Sequence, residues 1–359
     1  MNTNNSSKKI MIFAGGTGGH IYPAIAIASC LKKQNCSIQW VGATNKMEAK
    51  IVPQHGFKIN FLNISGIRRK GIIAKLLAPF MLQIAVIQAV KLIIKHRPNI
   101  VLAMGGFVSA PGGIAAKLCF KKLYIHEQNA IAGMTNKGLS LLANVIFESY
   151  RNTFKNKKAI FTGNPLRDSI VKRFKDKKPI LNQAKKLNLL LFGGSLGARI
   201  LNQNLCNLVN KNHDITDKFN IKHQTGENLY QEVLQEYQDN SRIEILPFIT
   251  DMDKQLDWAD IVICRAGAGS VAECAAAGCV AIFIPLPTAV DDHQTYNAKY
   301  LSNKKAAILL PQPQLNSENL IDILNKLFDD RKNMLKIATQ AHTMACFSST
   351  DKIVEQMLK

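Results

Sequence analysis

Lys9-Ile10-Met11-Ile12-Phe13-Ala14 runs straight into Gly15-Gly16-Thr17-Gly18-Gly19-His20, and an apolar helical stretch over residues 22–31 follows. Strand, glycine-rich turn and helix, in that order, make the unit from which nucleotide-binding α/β domains are built. The same order returns half a chain later. Leu187-Asn188-Leu189-Leu190-Leu191-Phe192 leads into Gly193-Gly194-Ser195-Leu196-Gly197-Ala198-Arg199 and a helical stretch over residues 200–209. In such a turn the glycines let backbone N–H groups approach an anion, and the helix N-terminus adds partial positive charge. Two copies in one chain predict two Rossmann-like domains facing a central cleft, with a phosphorylated donor set against a second substrate.

Short apolar runs alternate with helical stretches along the rest of the chain. The first half adds Ser37-Ile38-Gln39-Trp40-Val41, Ile100-Val101-Leu102-Ala103-Met104 and Leu123-Tyr124-Ile125-His126. The second adds Phe219-Asn220-Ile221-Lys222-His223, Ile243-Glu244-Ile245-Leu246, Ile261-Val262-Ile263-Cys264 and Val280-Ala281-Ile282-Phe283-Ile284. This alternation is the pattern of parallel sheets covered by helices on both faces, which is the α/β class. Gly163-Asn164-Pro165 and the basic stretch over residues 172–186 punctuate the chain between the halves. The expected domains are residues 1–166 and 167–345, with an amphipathic helix in residues 346–359 that packs back on the first.

Composition narrows the class. A chain of 359 residues has room for two cores, and 47% hydrophobic with 20% charged residues is globular. The eight cysteines form no C-x-x-C pair, and several lie in apolar contexts, so they read as reduced core residues of a cytosolic protein. Residues 1–9 are polar and lack the apolar segment of a signal peptide. The net charge of +21 is spread over scattered lysines. No zinc-finger spacing, aromatic RNA-binding motif or arginine-rich recognition helix accompanies it, so no specific nucleic-acid partner is expected.

Residues 72–94 stand apart as a very apolar stretch, but Lys75, Pro79, Gln83, Gln88 and Lys91 interrupt it, against a transmembrane span. Its second half fits a buried helix of the first domain as well as any other reading. In its first half Ile72, Ile73, Leu76, Leu77 and Phe80 lie beside Arg68, Arg69, Lys70 and Lys75. Apolar residues beside cations are the composition of an interfacial contact with an anionic membrane surface, where each cation contributes about 1 kcal/mol.

The first glycine turn is neither of the common phosphate-binding fingerprints. Gly16 and Gly18 give G-x-G, but Ile21 occupies the third glycine's place, and Gln39-Trp40-Val41-Gly42 occupies that of a ribose-gripping acid. No Gly-Lys-Ser/Thr follows, which excludes a P-loop. What singles the turn out is His20, just beyond a strand's carboxyl end where ligands of such sheets bind. The second half carries Arg265-Ala266-Gly267-Ala268-Gly269-Ser270-Val271-Ala272-Glu273 after an apolar strand. A helix starting near Ser270 would hold a diphosphate on its amides. Glu273 would accept from ribose hydroxyls or close a capping box with Ser270. Asp291-Asp292-His293-Gln294-Thr295-Tyr296-Asn297 follows the next strand with groups suited to sugar hydroxyls.

Six motifs now stand in order: residues 15–20, Gly105-Gly106-Phe107-Val108-Ser109, His126-Glu127-Gln128-Asn129, Gly163-Asn164-Pro165-Leu166-Arg167, residues 193–199 and residues 265–273. In that order they resemble the MurG family of glycosyltransferase family 28, which makes lipid II from lipid I in peptidoglycan synthesis, over essentially the whole chain. The resemblance implies a GT-B fold and inverting transfer of N-acetylglucosamine from UDP-N-acetylglucosamine to the muramyl C4 hydroxyl of lipid I. It also implies no cofactor and no metal, and a peripheral place on the cytoplasmic face of the inner membrane. Carried over by position, Thr17, Gly18, Gly19 and Asn129 approach the sugar and the acceptor. Arg167 and Ser195 lie toward the nucleotide phosphates, and Ile249 meets the uracil through its backbone. Ala268, Gly269, Ser270, Val271, Ala272 and Glu273 hold diphosphate and ribose, and Gln294 contacts the sugar. Phe107 departs from the family, where a tyrosine is expected.

His20 is the candidate general base, since an imidazole with an ordinary pKa of about 6.5 is neutral near pH 7. Asp251-Met252-Asp253 spells the D-x-D of metal-dependent transferases, but after Phe248-Ile249-Thr250 it reads as a helix opening. The alternatives are another GT-B enzyme of UDP-sugars, such as a glycolipid glycosyltransferase or a UDP-sugar 2-epimerase, and a non-catalytic nucleotide-sugar binder.

Overall fold

The computed structural model describes residues 8–66, 77–155, 158–180, 182–194, 197–212, 214–237 and 242–359. The chain forms two compact units, Met1–Arg167 with Cys346–Lys359, and Asp168–Ala345.

The first unit holds β1 (Lys9–Phe13), β2 (Ser37–Ala43), β3 (Ile59–Leu62), β4 (Ile100–Ala103), β5 (Lys122–Glu127), β6 (Val145–Glu148) and β7 (Ala159–Phe161). They pair in parallel in the order β3-β2-β1-β4-β5-β6-β7. Ile10, Met11, Ile12 and Phe13 of β1 are all buried, because helices cover both faces; a continuous apolar run rather than alternation is the result. Ile21, Ala24 and Ile27 of the helix Gly18–Lys33 and Ile353, Val354 and Met357 of the helix Ser349–Leu358 share one core. On the other face the helices Ala78–His96 and Ser109–Leu118 pack over Met11, Phe13 and Val101.

The second unit holds β8 (Leu187–Phe192), β9 (Phe219–Gln224), β10 (Ile243–Leu246), β11 (Ile261–Cys264), β12 (Val280–Phe283) and β13 (Ile308–Leu309), in the parallel order β10-β9-β8-β11-β12-β13. In each sheet the strand order reverses beside the glycine-turn strand, between β1 and β4 and between β8 and β11. Ligands of open parallel sheets bind at the carboxyl ends of the strands at that reversal.

Every strand expected from the sequence is present, and both units are parallel-sheet α/β units as expected. Four strands were not foreseen: β3, β6, β7 and β13, of two to four residues each. The helix Ala78–His96 decides the reading left open for the second half of residues 72–94: it is largely not buried. Only Ala85, Ala89 and Ile93 are buried, while Phe80, Ile84, Ile87 and Ile94 are exposed. Ala85 and Ala89, one turn apart, let the helix sit close on its neighbour, Val90 and Leu92 pack at the edge of that core, and Phe80, Ile84, Ile87 and Ile94 point away. By length and composition this helix is apolar enough to cross a membrane. Arg68, Arg69, Lys70, Ile72, Ile73, Lys75 and Leu76 lie outside the described residues. The D-x-D sequence opens the helix Met252–Trp258 with Asp251 as N-cap, and Asp253 pairs with Arg173 at 2.9 Å.

Candidate functional site

In the first unit the site gathers where β1, β4 and β5 end. Thr17 is the N-cap of the helix Gly18–Lys33, with extended backbone, and its carbonyl accepts from the His20 and Ile21 amides. Thr17 Oγ1 and His20 Nδ1 share a hydrogen bond of 3.1 Å. The His20 ring lies against the turn after β4, where Cβ atoms on Gly105 and Gly106 would stand 3.2 and 3.6 Å from it. Asn136 Nδ2 abuts Gly105 as well, also 3.2 Å from its Cβ position.

Asn136 leads to the carboxylate that organises this loop. Glu127 is buried and closes β5. Its Oε1 accepts from Asn129 N–H at 3.0 Å and Asn129 Nδ2 at 3.2 Å, and its Oε2 accepts from Gly133 N–H at 3.0 Å and Asn136 Nδ2 at 2.9 Å. Asn129 is thus held in one rotamer. Beside it His126 is buried, with Gln128 Nε2 at 3.0 Å from its Nδ1. Burial pushes the His126 imidazole down to about 3, so it is a neutral wall of the site. Arg167, where the chain first leaves the first unit, holds its guanidinium 5.0 Å over the Tyr22 ring.

In the second unit the helix Ala268–Ala277 begins two residues earlier than the sequence suggested, with Gly267 as N-cap. That removes the capping-box reading of Ser270 and Glu273, since Ser270 is the third helical residue. Gly267 has no side chain with which to cap, and nothing lies within 4 Å of the Cβ position of Gly269. Ala268, Val271 and Glu273 are buried, so a ligand at this end meets mostly backbone. Arg265 braces the approach: Nη1 donates to the carbonyls of Ile284 (3.1 Å) and Pro285 (3.2 Å), Nη2 to Gln312 Oε1 (2.7 Å). Asn297, buried on the helix His293–Ser302, donates to the Ala266 carbonyl at 3.1 Å. Gln294, at the start of that helix, accepts from Leu286 N–H at 2.9 Å. Ile249 is buried beyond the end of β10, just before the helix Met252–Trp258 that packs on Ala268–Ala277. Ser195 lies outside the described residues; its neighbour Gly194 has nothing within 4 Å of its Cβ position.

The structure thus places Thr17, Gly18, Gly19 and His20 after β1 and Asn129 after β5, at the carboxyl ends of one sheet. Residues 268–273 follow β11 and Gln294 follows β12, at the carboxyl ends of the other. The sequence assigned no task to Glu48, Glu127 or Arg265, and it placed Asn297 among groups for sugar hydroxyls, whereas Asn297 is buried and holds the Ala266 carbonyl. Glu48, Arg265 and Asn297 each reach backbone distant in sequence, which no local pattern announces, while Glu127 gathers the loop that follows it.

The glycosyltransferase family 28 N-terminal domain matches residues 10–148, and the glycosyltransferase family 28 C-terminal domain matches residues 188–356. A Shewanella halifaxensis protein named UDP-N-acetylglucosamine–N-acetylmuramyl-(pentapeptide) pyrophosphoryl-undecaprenol N-acetylglucosamine transferase is 40% identical, covering 100% of this chain and 99% of its own length. A protein of the same name from Shewanella loihica is 42% identical over 97% of this chain and 96% of its own. The crystal structure of MurG from Acinetobacter baumannii superposes with a TM-score of 0.80 at 35% identity, over 98% of this chain and 99% of that one. A UDP-N-acetylglucosamine 2-epimerase from Neisseria meningitidis superposes at 0.66 with 13% identity over 98% and 99% of the two chains, a likeness of fold alone.

Proposed function

Because this chain belongs to glycosyltransferase family 28, in its MurG branch, we propose that it transfers N-acetylglucosamine from UDP-N-acetylglucosamine to the muramyl C4 hydroxyl of lipid I, with inversion, to give lipid II. The observation that carries this reading is the full-length likeness to proteins bearing that name, 40% over the whole chain.

The two glycine turns then take different tasks. The donor diphosphate is read onto the helix Ala268–Ala277, whose N-cap glycine leaves the first amides to a ligand. Glu273 and Gln294 are assigned to ribose and sugar, Ile249 to uracil, and Arg167 and Ser195 to the phosphate side. His20, its ring fixed by Thr17 and by the bare backbone of Gly105 and Gly106, takes the proton of the acceptor hydroxyl. The hydroxyl oxygen bonds to the anomeric carbon as the bond to UDP breaks, and the electron pair leaves with the diphosphate. The helix dipole and its amides stabilise that charge.

A peripheral place on the inner membrane follows from the acceptor's lipid. Leu77, Phe80, Ile84 and Ile87 expose apolar surface at the start of the helix Ala78–His96, the composition of an interfacial contact. Arg68, Arg69, Lys70 and Lys75 would supply the cations.

The test is turnover of the full chain with UDP-N-acetylglucosamine and a lipid I analogue, read by mass spectrometry of the lipid and proton NMR of the sugar nucleotide. Lipid II is the expected product. UDP-N-acetylmannosamine with the lipid untouched would establish the epimerase instead, and binding of UDP without turnover would establish a non-catalytic binder.

A further inference from the structure

The first glycine turn is built around a carboxylate. Glu48 lies in the first turn of the helix Met47–Gln54 and is fully buried. Its Oε2 accepts from Gly16 N–H at 3.0 Å, and its Oε1 accepts from Ala43 N–H at 2.9 Å. One side chain thus ties the turn after β1 to the end of β2. The surrounding glycines fit this carboxylate. A Cβ on Gly15 would fall 2.2 Å from Glu48 Oε1, and one on Gly42 would fall 2.6 Å from Glu48 Cγ. Both are far inside van der Waals contact, so Gly15 and Gly42 make room for Glu48.

A phosphate-binding turn offers its amides to the ligand. Here the Gly16 amide is engaged by a protein carboxylate, and a second anion brought to the turn meets that charge in a poorly solvated setting. The second unit differs: the atoms that crowd Gly193 and Gly197 of its turn belong to residues 197–198 and 225–226, with no carboxylate among them. We infer that Glu48 is a positioning residue that locks the turn carrying Thr17 and His20 and disfavours phosphate there, so that this turn serves the hydroxyl-bearing sugar of the acceptor. The inference rests on the proposed function for the identity of the acceptor, but its electrostatic half stands on Glu48 alone.

The experiment compares the full-length wild-type chain with Glu48→Gln and Glu48→Asp. The glutamine keeps the shape but turns one N–H acceptor into a donor and removes the charge. The aspartate keeps the charge but is too short to reach both amides. At saturating UDP-N-acetylglucosamine, kcat/KM for the lipid I analogue is expected to fall about tenfold or more in both variants, with the donor KM within about twofold of wild type. Inorganic pyrophosphate, titrated by phosphorus NMR in the presence of excess UDP, is expected to bind Glu48→Gln at one more site than wild type or Glu48→Asp. Acceptor kinetics of Glu48→Asp equal to wild type would overturn the positioning role, whether or not Glu48→Gln folds. Equal pyrophosphate binding by wild type and a folded Glu48→Gln would overturn the exclusion of phosphate. If no protein turns over lipid I yet Glu48→Gln alone gains pyrophosphate, the proposed function fails and the exclusion of phosphate stands.

Discussion

The imidazole of His20 rests on the bare backbone of Gly105: a Cβ on that glycine would stand 3.2 Å from both Cδ2 and Nε2 of the ring. Gly105 also has φ +91°, a conformation that side-chain-bearing residues rarely adopt. Gly105→Ala therefore adds strain of about 1–3 kcal/mol and displaces the ring. Transfer is expected to lose about tenfold or more in kcat, with donor KM unchanged, in steady-state kinetics paired with a thermal melt. A melting point lowered by the strain beside an unaltered kcat would show that the ring's position does not depend on this glycine.

His20→Ala removes the proposed base and leaves the second unit untouched. Transfer should drop by roughly 10²–10⁴-fold while UDP affinity, read by calorimetry, holds. Undiminished turnover would refute the assignment.

Glu127 accepts four N–H bonds from Asn129, Gly133 and Asn136. In Glu127→Gln one oxygen becomes a donor set against donors, leaving buried groups unsatisfied at about 1–3 kcal/mol each. Chemical denaturation should report that loss, and the acceptor KM should rise because Asn129 is no longer held. Identical denaturation midpoints for variant and wild type would contradict it.

Burial holds the His126 and His223 imidazoles neutral, each down to about 3. Unfolded, each binds a proton below about 6.5, so between these values the unfolded state carries more protons and stability falls as pH falls. Stability is full above about 6.5, and each histidine removes about 2 kcal/mol by pH 5. Urea midpoints at pH 7 and pH 5 check this, and His223→Gln should flatten the slope.

Phe80 is 64% exposed and Ile84 53% exposed on the helix Ala78–His96, so charging them costs the fold little. Phe80→Glu with Ile84→Glu should keep the melting point and weaken binding to anionic phosphatidylglycerol vesicles by about tenfold or more, since each buried side chain is worth about 1.5–3 kcal/mol. Undiminished cosedimentation of the variant would remove this helix from the membrane contact.

The long strands and both glycine turns were legible because their signal is local. A buried parallel strand must be apolar at successive residues, and a turn that admits a backbone or a ring must be glycine. Gly15-Gly16-Thr17-Gly18-Gly19-His20 and Arg265 with residues 266–273 could be read for that reason. The short strands β3 and β13 could not, since a few half-exposed residues carry no period. The outward apolar side of the helix Ala78–His96 was equally hidden, because composition does not say which face is covered.

By itself the sequence determined two parallel-sheet units, the two turns and the family, since each is written in consecutive residues or in motif order. Only the tertiary structure decided what lies beneath the first turn. Glu48 comes from another strand-helix connection, where it holds nearby Ala43, and it reaches Gly16 only when β1 and β2 pair. The same glycines that look built for a phosphate are there to admit a carboxylate, and only packing separates the two, because a missing Cβ makes room for either.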